Sequence, residues 1–253
     1  MTESQAQQAA GVDSTDSMKI SVVIPIYNEE RTLAEIVRRV LATPHDIELI
    51  LVDDGSKDST REIMARLEAE HEEVRCFYHE QNTGKGGAIA TGFKMITGDV
   101  ALIQDADLEY DPRDYTTLLQ PIKDGVADVV YGSRFLGGTF VRVHLYWHYL
   151  GNRALTTLSN MFTNLNLTDM ETCYKVFKAP IAKKLDIQSS TFALEPEMTA
   201  KVAKMRARIY EVPISYAGRD YADGKKIGLK DAFIAVWAIL RWNLFYSPPS
   251  TDL

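Results

Sequence analysis

Two carboxylate clusters, each directly after an apolar β-type run, are the chain's most chemically loaded positions. Asp53-Asp54-Gly55-Ser56 follows the run 47–52, and Asp105-Ala106-Asp107 follows Val100–Ile103. In an open α/β sheet the carboxyl ends of the strands form the crevice where ligands bind, so acids at two such ends point into one cleft. Carboxylates crowded together repel unless a cation sits between them. Asp105, Asp107 and Glu109 therefore read as hard oxygen ligands for Mg²⁺ or Mn²⁺, the ions that partner phosphate oxygens. A diphosphate substrate follows.

Other residue types fit the same cleft. Pro25, Tyr27, Asn28 and Glu29 lie just past the first apolar run, where Tyr27 can cover a base or ribose and Glu29 can accept from ribose hydroxyls. Asp54 suits a base-ring N–H or a ribose, although Asp-Gly-Ser is also an ordinary turn. Asn82-Thr83-Gly84-Lys85-Gly86-Gly87 is a glycine-rich helix opening of the kind that cradles phosphate, with Lys85 as its cation. It lacks the Walker spacing, so ATP hydrolysis is not indicated, and its glycines serve close packing equally well. Cations follow in Arg134, Arg153, Lys175, Arg219, Lys225 and Lys226. An arginine grips phosphate with a bidentate fork, whereas a lysine acts as a mobile point charge. His144 and His148 stand one helical turn apart without the glutamate of a zincin motif, and read as surface or interfacial residues.

The elements that must hold these groups alternate in type. Residues 20–26, 47–52, 74–79, 100–103 and 126–131 read as strands. Residues 30–41 carry apolar side chains at helical spacing, a helix follows the N-cap region at 57–60, and 84–96 reads as a glycine-led helix. This alternation predicts an α/β fold with a mainly parallel central sheet flanked by helices.

Composition narrows the function classes. A chain of 253 residues is long enough for one large core. A net charge of −7 argues against broad nucleic-acid binding. The two cysteines, Cys76 and Cys173, are far apart and in no metal-ligand spacing, which fits a reduced compartment. Residues 1–17 read as a disordered leader with no secretory signal pattern. The apolar run 232–240 is bracketed by Asp231 and Arg241, short of the roughly 20 residues that span a bilayer. The segment 229–253 reads as either a membrane-interfacial amphipathic helix or a core-closing one.

YNEE, DDGSKDST, NTGKGGA, DADLEYDP and YGSR occur in the order seen in glycosyltransferase family 2, and the chain resembles the catalytic domains of its dolichol-phosphate mannose synthases and polyprenyl-phosphate glucosyltransferases. The similarity covers residues 18–228. It implies a GT-A fold, a nucleotide-sugar donor, a divalent metal and inversion at the anomeric carbon. Carried over residue by residue, Pro25, Tyr27, Glu29 and Asp54 match nucleotide-contacting motifs, and Asp105 and Asp107 match the DxD metal motif, with Glu109 at a further ligand position. Arg134 matches the arginine that holds an acceptor phosphate. The stretch TDMETCYKVF, with Asp169, Glu171, Thr172 and Lys175, departs from the TSGFR-like form of mannose synthases, so the sugar is left open.

The leading expectation is transfer of a hexose from a UDP- or GDP-sugar to a polyprenyl phosphate. The protein would sit in the cytoplasm, peripheral to the cytoplasmic membrane face, with a membrane partner protein as a further expectation. A soluble hydroxyl acceptor and a non-catalytic nucleotide-sugar-binding protein are the rival readings.

Overall fold

The computed structural model describes residues 18–137, 145–218 and 229–247. The expected leader 1–17, His144, and the cations Arg219, Lys225 and Lys226 lie outside the described residues.

Strands and helices alternate through β1 (Ile20–Ile26), α1 (Leu33–Leu41), β2 (Ile47–Asp53), α2 (Thr60–Glu70), β3 (Val74–Tyr78), α3 (Lys85–Met95) and β4 (Val100–Ile103). The chain continues with α4 (Tyr115–Lys123), β5 (Val129–Ser133), α5 (Tyr146–Thr163), β6 (Lys175–Lys178), α6 (Ala179–Lys184), α7 (Leu194–Lys204), β7 (Ile209–Pro213) and α8 (Leu229–Leu244). Among the described residues these strands form one seven-stranded sheet in the order β3-β2-β1-β4-β6-β5-β7. All neighbours pair in parallel except β6, which runs antiparallel to both β4 and β5.

This order decides where a ligand can sit. β1 pairs with β2 on one side and β4 on the other, so successive connections diverge there and open a crevice at the carboxyl ends. The β1–β2 register sets Ile26 opposite Asp53, so Tyr27 and Asp54 leave the sheet side by side. β4 and β5 point the same way with β6 between them, so Asp105, Arg134 and the loop entering β6 share that edge.

Alternation along β1 sends Ile20, Val22, Ile24 and Ile26 into the core beneath α1, α2 and α4. Val23 faces the opposite core, built with α3, α6 and α7. The fifth strand begins at Val129 rather than at 126. Gly125, at φ 71°, turns the chain off α4, and the N–H groups of Val126 and Ala127 both donate back to the Pro121 carbonyl. Those amides are committed to a helix-ending turn and cannot join the ladder.

Helix α8 closes the core with one face and exposes apolar side chains on the other. Ala235, Ala238, Ile239 and Trp242 are buried, whereas Phe233, Trp237, Leu244 and the following Phe245 are exposed. The inner face packs on α5 and α7. Among the described residues no helix is long and apolar enough to cross a membrane.

Candidate active site

The loops after β1 and β2 are stitched together. Asn28, in a left-handed conformation at φ 56°, accepts from the Lys57 N–H at 2.8 Å and donates its own N–H to Ser56 Oγ at 2.9 Å. The Glu29 N–H donates to Thr60 Oγ1, and Thr32 Oγ1 donates to Glu29 Oε2 at 2.6 Å. These bonds leave Tyr27 standing outward, 43% exposed, while Pro25 is half-buried in β1. A planar ring held at the mouth of the crevice can cover a base.

Asp53 and Asp54 are both buried and occupied. Asp53 accepts from the Gly55 and Ser56 N–H groups and from Arg61 Nε at 2.6 Å, which closes the turn. Asp54 Oδ1 accepts from the N–H and hydroxyl of Thr83 at 2.8 and 2.7 Å and lies 2.8 Å from His79 Nδ1, while Oδ2 accepts from the Gly84 N–H at 2.7 Å. Asp54 thus organises the glycine-rich loop, a positioning task that its expected place among nucleotide contacts did not include. Gly84 sits at φ 83°, and a Cβ at Gly86 would collide with the Ser189 carbonyl, so both positions demand glycine.

That loop delivers Lys85. Its Nζ stands 2.7 Å from Asp105 Oδ1 and 3.0 Å from Cys173 Sγ. Burial works against a charge on Asp105, but the neighbouring Lys85 ammonium outweighs it and holds the carboxyl below the usual range. Leu108, at φ 65°, turns the backbone between Asp107 and Glu109. Asp107 Oδ1 accepts from the Glu109 N–H at 3.1 Å, and Glu109 Oε2 accepts from the Tyr216 hydroxyl at 2.9 Å.

Among the described residues no three His, Cys, Asp or Glu side chains group as a metal cage. Of the expected set of Asp105, Asp107 and Glu109, the Glu109 carboxylate is engaged by the Tyr216 hydroxyl. Asp105 and Asp107 still fit Mg²⁺ or Mn²⁺: both present hard oxygens at one strand end, and such ions take one or two carboxylates and complete their shell with substrate phosphates and water.

On the far side of β6, Arg134 follows β5 and pairs with Asp169, Nε to Oδ2 at 2.7 Å and Nη2 to Oδ1 at 2.8 Å. Its guanidinium lies over the Tyr216 ring, 5.2 Å from the centroid. Burial disfavours the charge of Asp169, yet Arg134 overcomes it and keeps the carboxyl ionised below its ordinary range.

The expected acceptor cations divide. Arg153 is exposed on α5, where its guanidinium donates to the Tyr149 hydroxyl and lines a shallow groove with Leu150 and Met161. Lys175 is fully buried, donates to the Met170 and Thr172 carbonyls and lies over the Tyr131 ring. This corrects its reading as an acceptor contact: an ammonium enclosed by carbonyls and a ring is not presented to the cleft.

Sequence reasoning missed His79, Tyr216 and Glu211. The position of His79 just after β3, level with the acidic cluster after β2, was a usable signal. Tyr216 and Glu211 come from far along the chain, and no local pattern marks them.

Residues 21–186 match the description Glycosyl transferase family 2. The undecaprenyl-phosphate mannosyltransferase of Micrococcus luteus is 30% identical over 239 residues, covering 90% of this chain and 95% of that protein. Glycosyltransferase AglD of Haloferax volcanii is 30% identical over 256 residues, covering 97% of this chain but 40% of that protein, so the chain spans less than half of that relative's length. Among solved structures, glucosyl-3-phosphoglycerate synthase from Mycobacterium tuberculosis, in complex with Mn²⁺, UDP and phosphoglyceric acid, superposes with a TM-score of 0.69 at 18% identity, covering 92% of this chain and 81% of that one. The sheet and its flanking helices are thus a GT-A fold. With the acidic strand ends and the ordered motifs, the family match makes the chain a member of glycosyl transferase family 2.

Proposed function

We propose that this glycosyltransferase moves a hexose, with inversion, from a UDP- or GDP-sugar to a polyprenyl phosphate at a membrane surface. One observation carries the reading: paired acids at the end of β4 and a fixed arginine at the end of β5 lie on the same sheet edge. That edge offers a place for a diphosphate and a second place for an acceptor phosphate. The name of the Micrococcus luteus relative supports the acceptor class.

Tyr27, Pro25 and Glu29 take the nucleoside end, with the loops held by Asp54 and Asn28. Asp105 and Asp107 would hold a divalent ion, whose charge would neutralise the departing nucleoside diphosphate. Lys85, bonded to Asp105, adds positive charge on the same side. Arg134 holds the acceptor phosphate, which is already an anionic nucleophile near neutral pH, so no side chain need remove a proton from it. The exposed apolar residues of α8 support a peripheral seat on the bilayer.

A soluble hydroxyl acceptor is the second reading, favoured by the phosphoglyceric acid bound in the Mycobacterium tuberculosis neighbour. Incubating the protein and Mn²⁺ with sugar-labelled donor, with and without polyprenyl phosphate, separates the two. Label entering the organic phase only with the lipid is expected. Transfer solely to water-soluble acceptors would overturn the lipid assignment.

A further inference from the structure

One short loop is tied at its two ends to the two sides of the site. At one end Asp169 grips Arg134. At the other, Cys173 Sγ accepts from Lys85, whose Nζ also meets Asp105, and the Cys173 N–H donates to the Tyr110 hydroxyl at 3.2 Å. Consecutive Cα atoms are about 3.8 Å apart, so the middle of the loop is at most roughly 11 Å of chain from Asp169 and roughly 8 Å from Cys173. That middle holds Glu171 and Thr172. Both carry buried polar atoms, Glu171 Oε1 and Thr172 Oγ1, that have no hydrogen-bond partner among the described residues. Leaving two adjacent buried polar atoms unpaired is costly, and a site that does so is matched to a group arriving from outside.

Resting on the proposed glycosyl transfer, we infer that Glu171 and Thr172 bind hydroxyls of the sugar being transferred and select which sugar is used. The transferred ring must stand between the diphosphate on the Asp105–Asp107 side and the acceptor on the Arg134 side, which is the interval this loop bridges. The chemistry agrees. Burial, reinforced by Glu195 on α7 and by Asp169, pushes the Glu171 carboxyl up to about 8 against the pull of Lys175 and Arg134. Near neutral pH Glu171 keeps its proton and offers both an O–H and an accepting oxygen, as does the Thr172 hydroxyl. Neutral groups able to donate and accept suit a polyol, whereas the anions on either flank already have Lys85 and Arg134.

The test uses Glu171→Gln and Thr172→Val in the full chain with Mn²⁺. Calorimetry compares free UDP and GDP with UDP-glucose, UDP-galactose, GDP-mannose and GDP-glucose, and turnover ranks the same donors. Affinity for the free diphosphate should stay within about twofold of wild type, which also reports that the variant is folded. Affinity for the preferred nucleotide sugar should fall about tenfold and the ranking of sugars should flatten. Folded variants with unchanged sugar affinity and ranking would overturn the inference. A lost kcat with unchanged donor KM and ranking would overturn it too, by making Glu171 a proton acceptor instead. A wild type that binds free diphosphate but no nucleotide sugar defeats the transfer reading and this inference together.

Discussion

Arg134 and Asp169 form a bidentate ion pair in which the Arg134 backbone N–H adds a third bond to Oδ2 at 3.1 Å. Glu211 steadies the backbone that carries Asp169 by accepting from the Thr168 and Asp169 N–H groups at 2.9 Å. The guanidinium is therefore held in one orientation, and under its proposed acceptor role Asp169 and Glu211 are positioning residues for it.

Removing one member of such a pair leaves the other buried and unmatched. Asp169→Asn should lower stability by about 3 kcal/mol in urea unfolding and raise the acceptor KM. Diphosphate affinity should change little. Arg134→Ala should weaken acceptor binding by roughly 1.5–3 kcal/mol, with Lys at this position restoring only part of it. Equal loss of UDP or GDP affinity in calorimetry would move Arg134 to the donor side.

Asp107→Asn should nearly abolish transfer in a protein that melts like wild type, because a neutral amide is a poor substitute for a hard anionic ligand. EDTA should silence the wild type and Mn²⁺ should restore it. Turnover that survives exhaustive chelation would refute the role given to the β4 acids.

The raised Glu171 carboxyl has a signed effect on stability. Its ordinary value is 4.5 and its value in the fold is about 8, so between these limits the folded protein holds a proton that the unfolded chain has released. Stability contributed at this position therefore falls as pH rises from about 4.5 to about 8. Glu171→Gln should remove that component, making the variant increasingly favoured over wild type toward pH 8. Parallel denaturation curves across this range would show that Glu171 ionises normally.

The two tryptophans of α8 should behave oppositely. Trp242 is 3% exposed, packed with Ala200 and Ala238, with Lys201 Nζ 4.3 Å from its ring centroid. Trp242→Ala should cost about 3–5 kcal/mol. Trp237 is 60% exposed, and its replacement by Ala should change stability by no more than about 0.5 kcal/mol while reducing liposome binding and lipid-acceptor turnover. Co-sedimentation with anionic vesicles and thermal melts, run on both variants, check this.

Local pattern was enough for the first half of the fold. β-branched runs and helical spacing identified β1 to β4 with their helices, because each element there buries one face against a continuous parallel sheet. The acids at the ends of β2 and β4 were legible because charge placed directly after an apolar run marks the carboxyl end of a strand, where the crevice opens. Tertiary structure decided the rest. β6 and β7 are short, and β6 begins and ends with lysine, so their strand identity comes from pairing with segments far off in the chain. Lys175 reads as an acceptor-phosphate cation until the fold encloses it against the Tyr131 ring and loop carbonyls. Asp54 reads as a ligand contact, and only the fold shows that its carboxylate holds the glycine-rich loop, 29 residues on. The partners of Arg134 are equally remote: Asp169 is 35 residues away, and Tyr216 lies beyond β7. Sequence by itself determines which groups are available for chemistry, but which of them face the cleft and which hold one another depends on contacts between distant segments that no local periodicity encodes.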